Sequence, residues 1–124
     1  MTTAAHTGIT GIDASYYMTK DLTKATSFYT ALFGFEPTMH VPETVSEWTF
    51  EGNGTTFGLY QPPNGEGWHP GGGLLFGVPE IKASIDAAKA LGAKFEEHVE
   101  ETPMCFMAFG QDPEGSNFIL HQLK

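Results

Sequence analysis

Cysteine, basic residues and long apolar runs are what this 124-residue sequence has least of. Its single cysteine, Cys105, has no internal disulfide partner, which fits a reducing compartment, and a cytoplasmic location is expected. Six basic residues stand against fifteen acidic ones, for a net charge of -9. Such a surface repels nucleic acid and anionic membranes, and it attracts cationic ligands at long range. Acidity of this degree is also ordinary for soluble proteins. No apolar run approaches the roughly 18 residues that a spanning helix needs, so no membrane partner is expected. The opening Met1-Thr-Thr-Ala-Ala-His6 has neither a basic start nor an apolar stretch and does not read as a secretory signal. No Gly-x-Ser-x-Gly is present, which leaves a hydrolase elbow without support. Gly71-Gly-Gly73 precedes a strand instead of following one, and no Lys-Ser or Lys-Thr follows it, so it is not a phosphate loop.

What is present is apolar and aromatic. Hydrophobic residues make up 40% of the chain, with ten Phe, four Tyr and two Trp, enough for one globular domain over residues 1–124. Two segments resemble each other, Asp21 to Phe35 and Glu80 to Phe95, and they start 59 residues apart. In each, apolar residues recur at helical spacing (Leu22, Ala25, Phe28, Tyr29, Leu32; Ile81, Ile85, Ala88, Leu91) until a glycine, Gly34 or Gly92. Asp21 is a good helix N-cap. Strands are expected over 12–19, 35–41, 47–51, 56–61, 74–78, 95–99, 104–110 and 117–123, after a frayed tail over 1–11. Gly52-Asn-Gly54 and Asp112-Pro-Glu-Gly115 read as turns between strands. Three prolines and four glycines in residues 62–72 mark a connection that is neither helix nor strand.

The order is βαβββ twice, in modules 12–61 and 73–124. The expected fold is α+β: a curved mixed sheet around a cleft, with the helices on its outer face.

Met18 to Phe35, Phe57-Gly-Leu-Tyr-Gln-Pro62 and Asp112-Pro-Glu-Gly-Ser-Asn-Phe-Ile-Leu-His-Gln122, taken with the repeat, resemble the vicinal oxygen chelate superfamily. It groups glyoxalase I, extradiol dioxygenases, fosfomycin-inactivating enzymes and bleomycin resistance proteins. The resemblance implies a metal ligand, His or Glu, on the first and last strand of each module. Aligned on the Asp of the helix cap, on Phe57-Gly-Leu-Tyr60, on the start of Leu74-Leu-Phe-Gly-Val78 and on the Asp of the Asp-Pro-Glu-Gly turn, those positions fall on Ala14, Gly58, near Gly73, and on Ile119. None can coordinate a divalent ion, which needs three or four N, O or S ligands. No metal and no other cofactor is therefore expected.

Strand parity from these positions puts Tyr16, Met18, Tyr60, Leu75 and His121 on the cleft face, and Trp48 and Met107 are placed there too, with no ligand position to fix their register. Aromatic and Met side chains there suit a planar or apolar organic ligand, or else simply pack against one another. His121 is either a general acid or base, with Tyr16 or Tyr60 as proton donor or oxyanion partner, or a hydrogen-bonded cleft histidine. Trp68 and His69 in the connection either close over a ligand or anchor the loop. Cys105 reads as a buried, inert thiol. Glu96, Glu97, His98, Glu100 and Glu101 alternate over both faces and read as solvated charges, as do Glu43 and Glu47.

The resulting expectation is a metal-free protein that binds a small organic molecule, such as an aromatic metabolite or antibiotic. The resemblance implies a homodimer that completes the cleft between chains. The alternative is an enzyme of the same superfamily, a lyase, isomerase or dioxygenase-like activity using His121, with displaced metal ligands such as His121 and His69 as its metal-dependent form.

Overall fold

A computed structural model describes residues 7–124. Residues 1–6 of the expected tail thus lie outside the described residues, and residues 7–11 are exposed and without regular structure. Strand β1 (Ser15–Met18) leads into helix α1 (Leu22–Phe33), followed by β2 (Met39–Val41), β3 (Val45–Thr49) and β4 (Thr56–Tyr60). After the connection come β5 (Leu74–Gly77), α2 (Ile81–Ala90), β6 (Lys94–Phe95), β7 (Glu100–Glu101), β8 (Cys105–Gln111) and β9 (Asn117–Leu123).

The βαβββ repeat is present, and the fold is α+β. The first half-sheet has the order β1-β4-β3-β2 and the second β5-β9-β8-β6, with β7 also on β8. In each, the first strand lies parallel to the last and the others are antiparallel.

Several boundaries differ from the sequence expectation, for local reasons. The first strand begins at Ser15, because Ile12 is 88% exposed and nothing pairs with the backbone before Ser15. The strand expected over 95–99 is split into β6 and β7, which leaves Glu96 to Val99 between two separate pairings with β8. The connection holds one 3-10 turn, Pro63–Gly65, where Asn64 takes a positive φ of 56°.

The helix ends show how the repeat is built. Asp21 caps α1, its carboxylate accepting from the Lys24 amide at 3.1 Å, and Gly34 closes it in the left-handed region at φ 84°. Glu80, the equivalent of Asp21, makes no side-chain cap. Each helix gains another acceptor from the end of its own module's last strand. Gln61 Oε1 accepts from the Leu22 amide at 2.7 Å, and Gln122 Oε1 accepts from the Ile81 amide at 2.7 Å. Both amides are among the four that a helix start leaves without intrahelical partners.

One core serves both halves. Tyr29 and Trp48 are 0% exposed and stack with Phe57 and Phe33, and Phe33 in turn meets Phe76 of the second module at 5.3 Å. Full burial of a large apolar side chain contributes about 1.5–3 kcal/mol relative to exposure. The halves are tied by polar contacts as well. The Tyr17 hydroxyl donates to the Asn117 carbonyl at 2.6 Å, and Glu114 accepts from Thr19 Oγ1 at 2.6 Å and from the Lys20 amide at 2.9 Å.

Candidate functional site

Alternation along the strands sorts the side chains into two faces. Tyr17, Ser46, Trp48, Phe57 and Leu59 are buried with α1, while Ala108, Phe118 and Leu120 are buried with α2. The opposite, open face carries Tyr16, Met18, Glu47, Gly58 and Tyr60 in the first half, because Tyr16 and Glu47 both pair with Gly58. In the second half it carries Leu75, Gly77, Met107, Ile119 and His121 by the same register. Of the residues expected on the cleft, six therefore share this face: Tyr16, Met18, Tyr60, Leu75, Met107 and His121.

Trp48 does not. It pairs with Phe57 and shares that residue's buried face, one step out of parity with Glu47 and Gly58. Its indole N–H has no hydrogen-bond partner among the described residues. No register anchor in the sequence fixes this strand, and a one-residue shift in parity moves a side chain to the other face.

Glu47 takes the place that Trp48 was expected to fill. Its carboxylate accepts a hydrogen bond from the Tyr16 hydroxyl, so it is not a simply solvated charge. The Tyr16 ring lies over Gly58, where an added Cβ would come within 2.6 Å of the ring. Burial, and then the hydrogen bond and negative charge of Glu47, push the Tyr16 hydroxyl up to about 12. Tyr16 is therefore a neutral donor across the physiological range.

The family's metal does not fit this face. Gly58 and Ile119 offer no N, O or S side-chain donor, and neither do Ala14 and Gly73, which precede β1 and β5. The ring of Tyr16 fills the space at Gly58. Among the described residues no group of three His, Cys, Asp or Glu is placed to hold an ion. The acidic run is spread out as expected, with His98 and Glu100 forming an exposed pair at 3.4 Å. Cys105 is buried and its thiol lies 3.2 Å from Thr102 Oγ1.

His121 is half-buried beside Met107, and its imidazole makes no hydrogen bond among the described residues. Tyr17, late in β1, reaches the Leu74 amide at the start of β5, and Phe57, early in β4, stacks on Phe76, late in β5, at 5.7 Å. The two halves thus dock with β1 and β5 running in opposite directions. Tyr60 and His121, at the ends of β4 and β9, point toward opposite ends of the combined surface.

The connection meets β9 through the Gly71 carbonyl, which accepts from the Asn117 amide at 2.8 Å. Trp68 lies beneath the Lys20 ammonium, 4.0 Å from its ring centroid, and His69 is exposed, with Nδ1 3.3 Å from the Pro70 carbonyl. Among the described residues neither hydrogen-bonds or stacks with Tyr16, Tyr60 or His121. Two grooves have most of their lining elsewhere, although Leu75 and Gly77 of the open face line the first. One of about 520 Å³ runs between the end of α1, the β3–β4 turn, β5 and α2, and another of about 710 Å³ lies beside α1 and Asp112.

Residues 5–120 match the model of the glyoxalase/bleomycin resistance protein/dioxygenase superfamily. No curated protein matches the chain. Solved structures share the fold. An antibiotic-binding protein, TnmS3 from Streptomyces sp. CB03234, superposes with a TM-score of 0.74 at 22% identity, covering 96% of this chain and 100% of that one. A lactoylglutathione lyase from Agrobacterium tumefaciens gives 0.71 at 19% identity, covering 93% and 95%. A superfamily enzyme from Burkholderia phytofirmans PsJN gives 0.75 at 20% identity, covering 90% and 98%. The family match over nearly the whole sequence, on a fold with the βαβββ repeat, identifies the chain as a member of the glyoxalase/bleomycin resistance protein/dioxygenase superfamily.

Proposed function

We propose that this protein binds a small, planar or apolar organic molecule on the open face of its two half-sheets, without a metal. The observation that carries this reading is the composition of that face. Tyr16, Tyr60 and Leu75 remain 44%, 38% and 49% exposed while the four family ligand positions hold no donor side chain. Exposed aromatic and aliphatic side chains on one surface, with few polar groups, are what an organic ligand or a partner covers. The fold is shared with an antibiotic-binding protein and a lactoylglutathione lyase, so fold alone favours neither activity. A homodimer that brings two such faces together is part of the same proposal. A thermal-shift series with planar aromatic metabolites and antibiotics, in the presence of a chelator, tests it. A bound compound raises the melting point by mass action, whereas a shift seen only without chelator rejects the metal-free reading.

A second reading keeps an enzyme with His121 as general acid or base, favoured by the unpartnered imidazole on the open face. Activity that survives chelation and is lost in His121→Ala supports it, and undiminished turnover in that variant rejects it.

A further inference from the structure

We infer that Glu47 sets the specificity of this face, selecting ligands that carry a protonated amine or amidinium next to a planar ring. The inference rests on the proposed binding at the open face. Register places Glu47 beside Gly58 at the middle of the first half-sheet, where no side chain stands on β4 itself. Tyr16 fills that gap with its ring and turns its hydroxyl to Glu47 Oε2. One carboxylate oxygen is thereby engaged, and among the described residues no hydrogen bond is made to the other.

The carboxylate also lacks a counter-charge. The ion pairs among the described residues are His98–Glu100 and Lys124–Glu101, both in the second module. Its register neighbours on this face are Met39, Val45, Thr49, Thr56, Gly58 and Tyr60, none of them basic. A ligand that covers an unpaired carboxylate with apolar surface strips its water and leaves the charge uncompensated, which is costly. A ligand cation placed there instead gains a charge-assisted hydrogen bond from its N–H to Glu47, and the tyrosine ring faces add cation–π attraction. Exclusion of neutral and anionic analogues follows from the same desolvation cost, and the net charge of -9 steers cations toward the surface.

Three naphthalene probes of similar shape separate the possibilities: 2-(aminomethyl)naphthalene, 2-naphthalenemethanol and 2-naphthoate. Calorimetric titration of the wild type at neutral pH is expected to rank amine above alcohol by about tenfold, with the carboxylate weakest. In Glu47→Gln the amine-to-alcohol ratio falls to about one, and in Glu47→Lys the order inverts to favour naphthoate. Equal affinity for amine and alcohol in the wild type, or a preference that survives Glu47→Gln, overturns the role of Glu47. Because the alcohol lacks charge, its binding to the wild type without amine preference leaves the open-face reading standing while rejecting this inference. Failure of all three probes to bind the wild type rejects both.

Discussion

The hydroxyl of Tyr29, on α1, donates to the buried carboxylate of Asp112, in the β8–β9 turn, at 2.7 Å. It joins the first module's helix to the second module's turn. Asp112 Oδ1 in the same position accepts from the amides of Glu114 and Ser116 at 2.9 and 3.0 Å. The Asp-Pro-Glu-Gly turn is thus both a local turn and a clamp on the other half of the molecule. Tyr29→Phe keeps the ring in the core and removes only the donor. It is expected to lower stability by about 1.5–3 kcal/mol, the range for a hydrogen bond to a charged group, as read from urea unfolding midpoints.

Asp112 gives the clamp a pH dependence of definite sign. Burial pushes its carboxyl above the ordinary value near 3.8, and the hydrogen bonds from Tyr29, Ser116 and Glu114 only partly offset this. Between the ordinary value and the raised one the folded state holds a proton that the unfolded state has released. The associated stability is present at the acid end and is lost as pH rises through the folded value. Asp112→Asn removes that contribution, so its stability deficit relative to wild type should be larger near about pH 4.5 than near neutrality. A deficit that grows toward neutral pH contradicts this.

Gln61 and Gln122 make matching contacts. Each presents Oε1 to the first amide of its module's helix at 2.7 Å. Alanine at either position leaves one helix-start donor without its protein acceptor and should cost about 1 kcal/mol, similar to a lost N-cap. The Gln122→Ala loss should be no smaller than that of Gln61→Ala, because α2 lacks the side-chain cap that Asp21 gives α1. Equilibrium unfolding of the two variants measures both.

The Tyr16–Glu47 pair is testable by tyrosine absorbance. In the wild type Tyr16 should ionise at about 12, and the transition should be absent in Tyr16→Phe. Glu47→Gln removes the negative charge and weakens the acceptor, so the Tyr16 transition should move down. The larger effect of burial remains, which keeps it above the ordinary tyrosine value of about 10.

Much of this architecture is legible in the sequence, because helical spacing, glycine stops and the two turns are local signals. Leu22 to Leu32 ends at Gly34, and Ile81 to Leu91 ends at Gly92, where the structure places the helix ends. The open-face parity of Tyr16, Tyr60, Leu75 and His121 follows from Ala14, Gly58, Gly73 and Ile119, each two residues earlier. Trp48 shows where that logic stops. It lies on a strand with no such landmark, and an aromatic residue suits either face. Glu47 was missed for the same reason, since its partner Tyr16 is 31 positions away. The Gln61 and Gln122 contacts span 39 and 41 residues, and Tyr29–Asp112 spans 83. Such contacts exist only once the sheets are assembled. A cheap signal was available for Gln61 and Gln122, which close the matching segments Leu59-Tyr-Gln61 and Leu120-His-Gln122.

The central claim is metal-free binding of an organic ligand on the open face. It is tested most directly by mapping backbone amide chemical-shift changes in chelator-treated protein as a bound aromatic compound is titrated in. The account predicts that the changes centre on Tyr16, Glu47, Gly58, Tyr60 and His121. Changes centred instead on the groove of Leu32, Phe50, Ala87 and Leu91 between the helices, or binding that appears only when a divalent metal is restored, would contradict it.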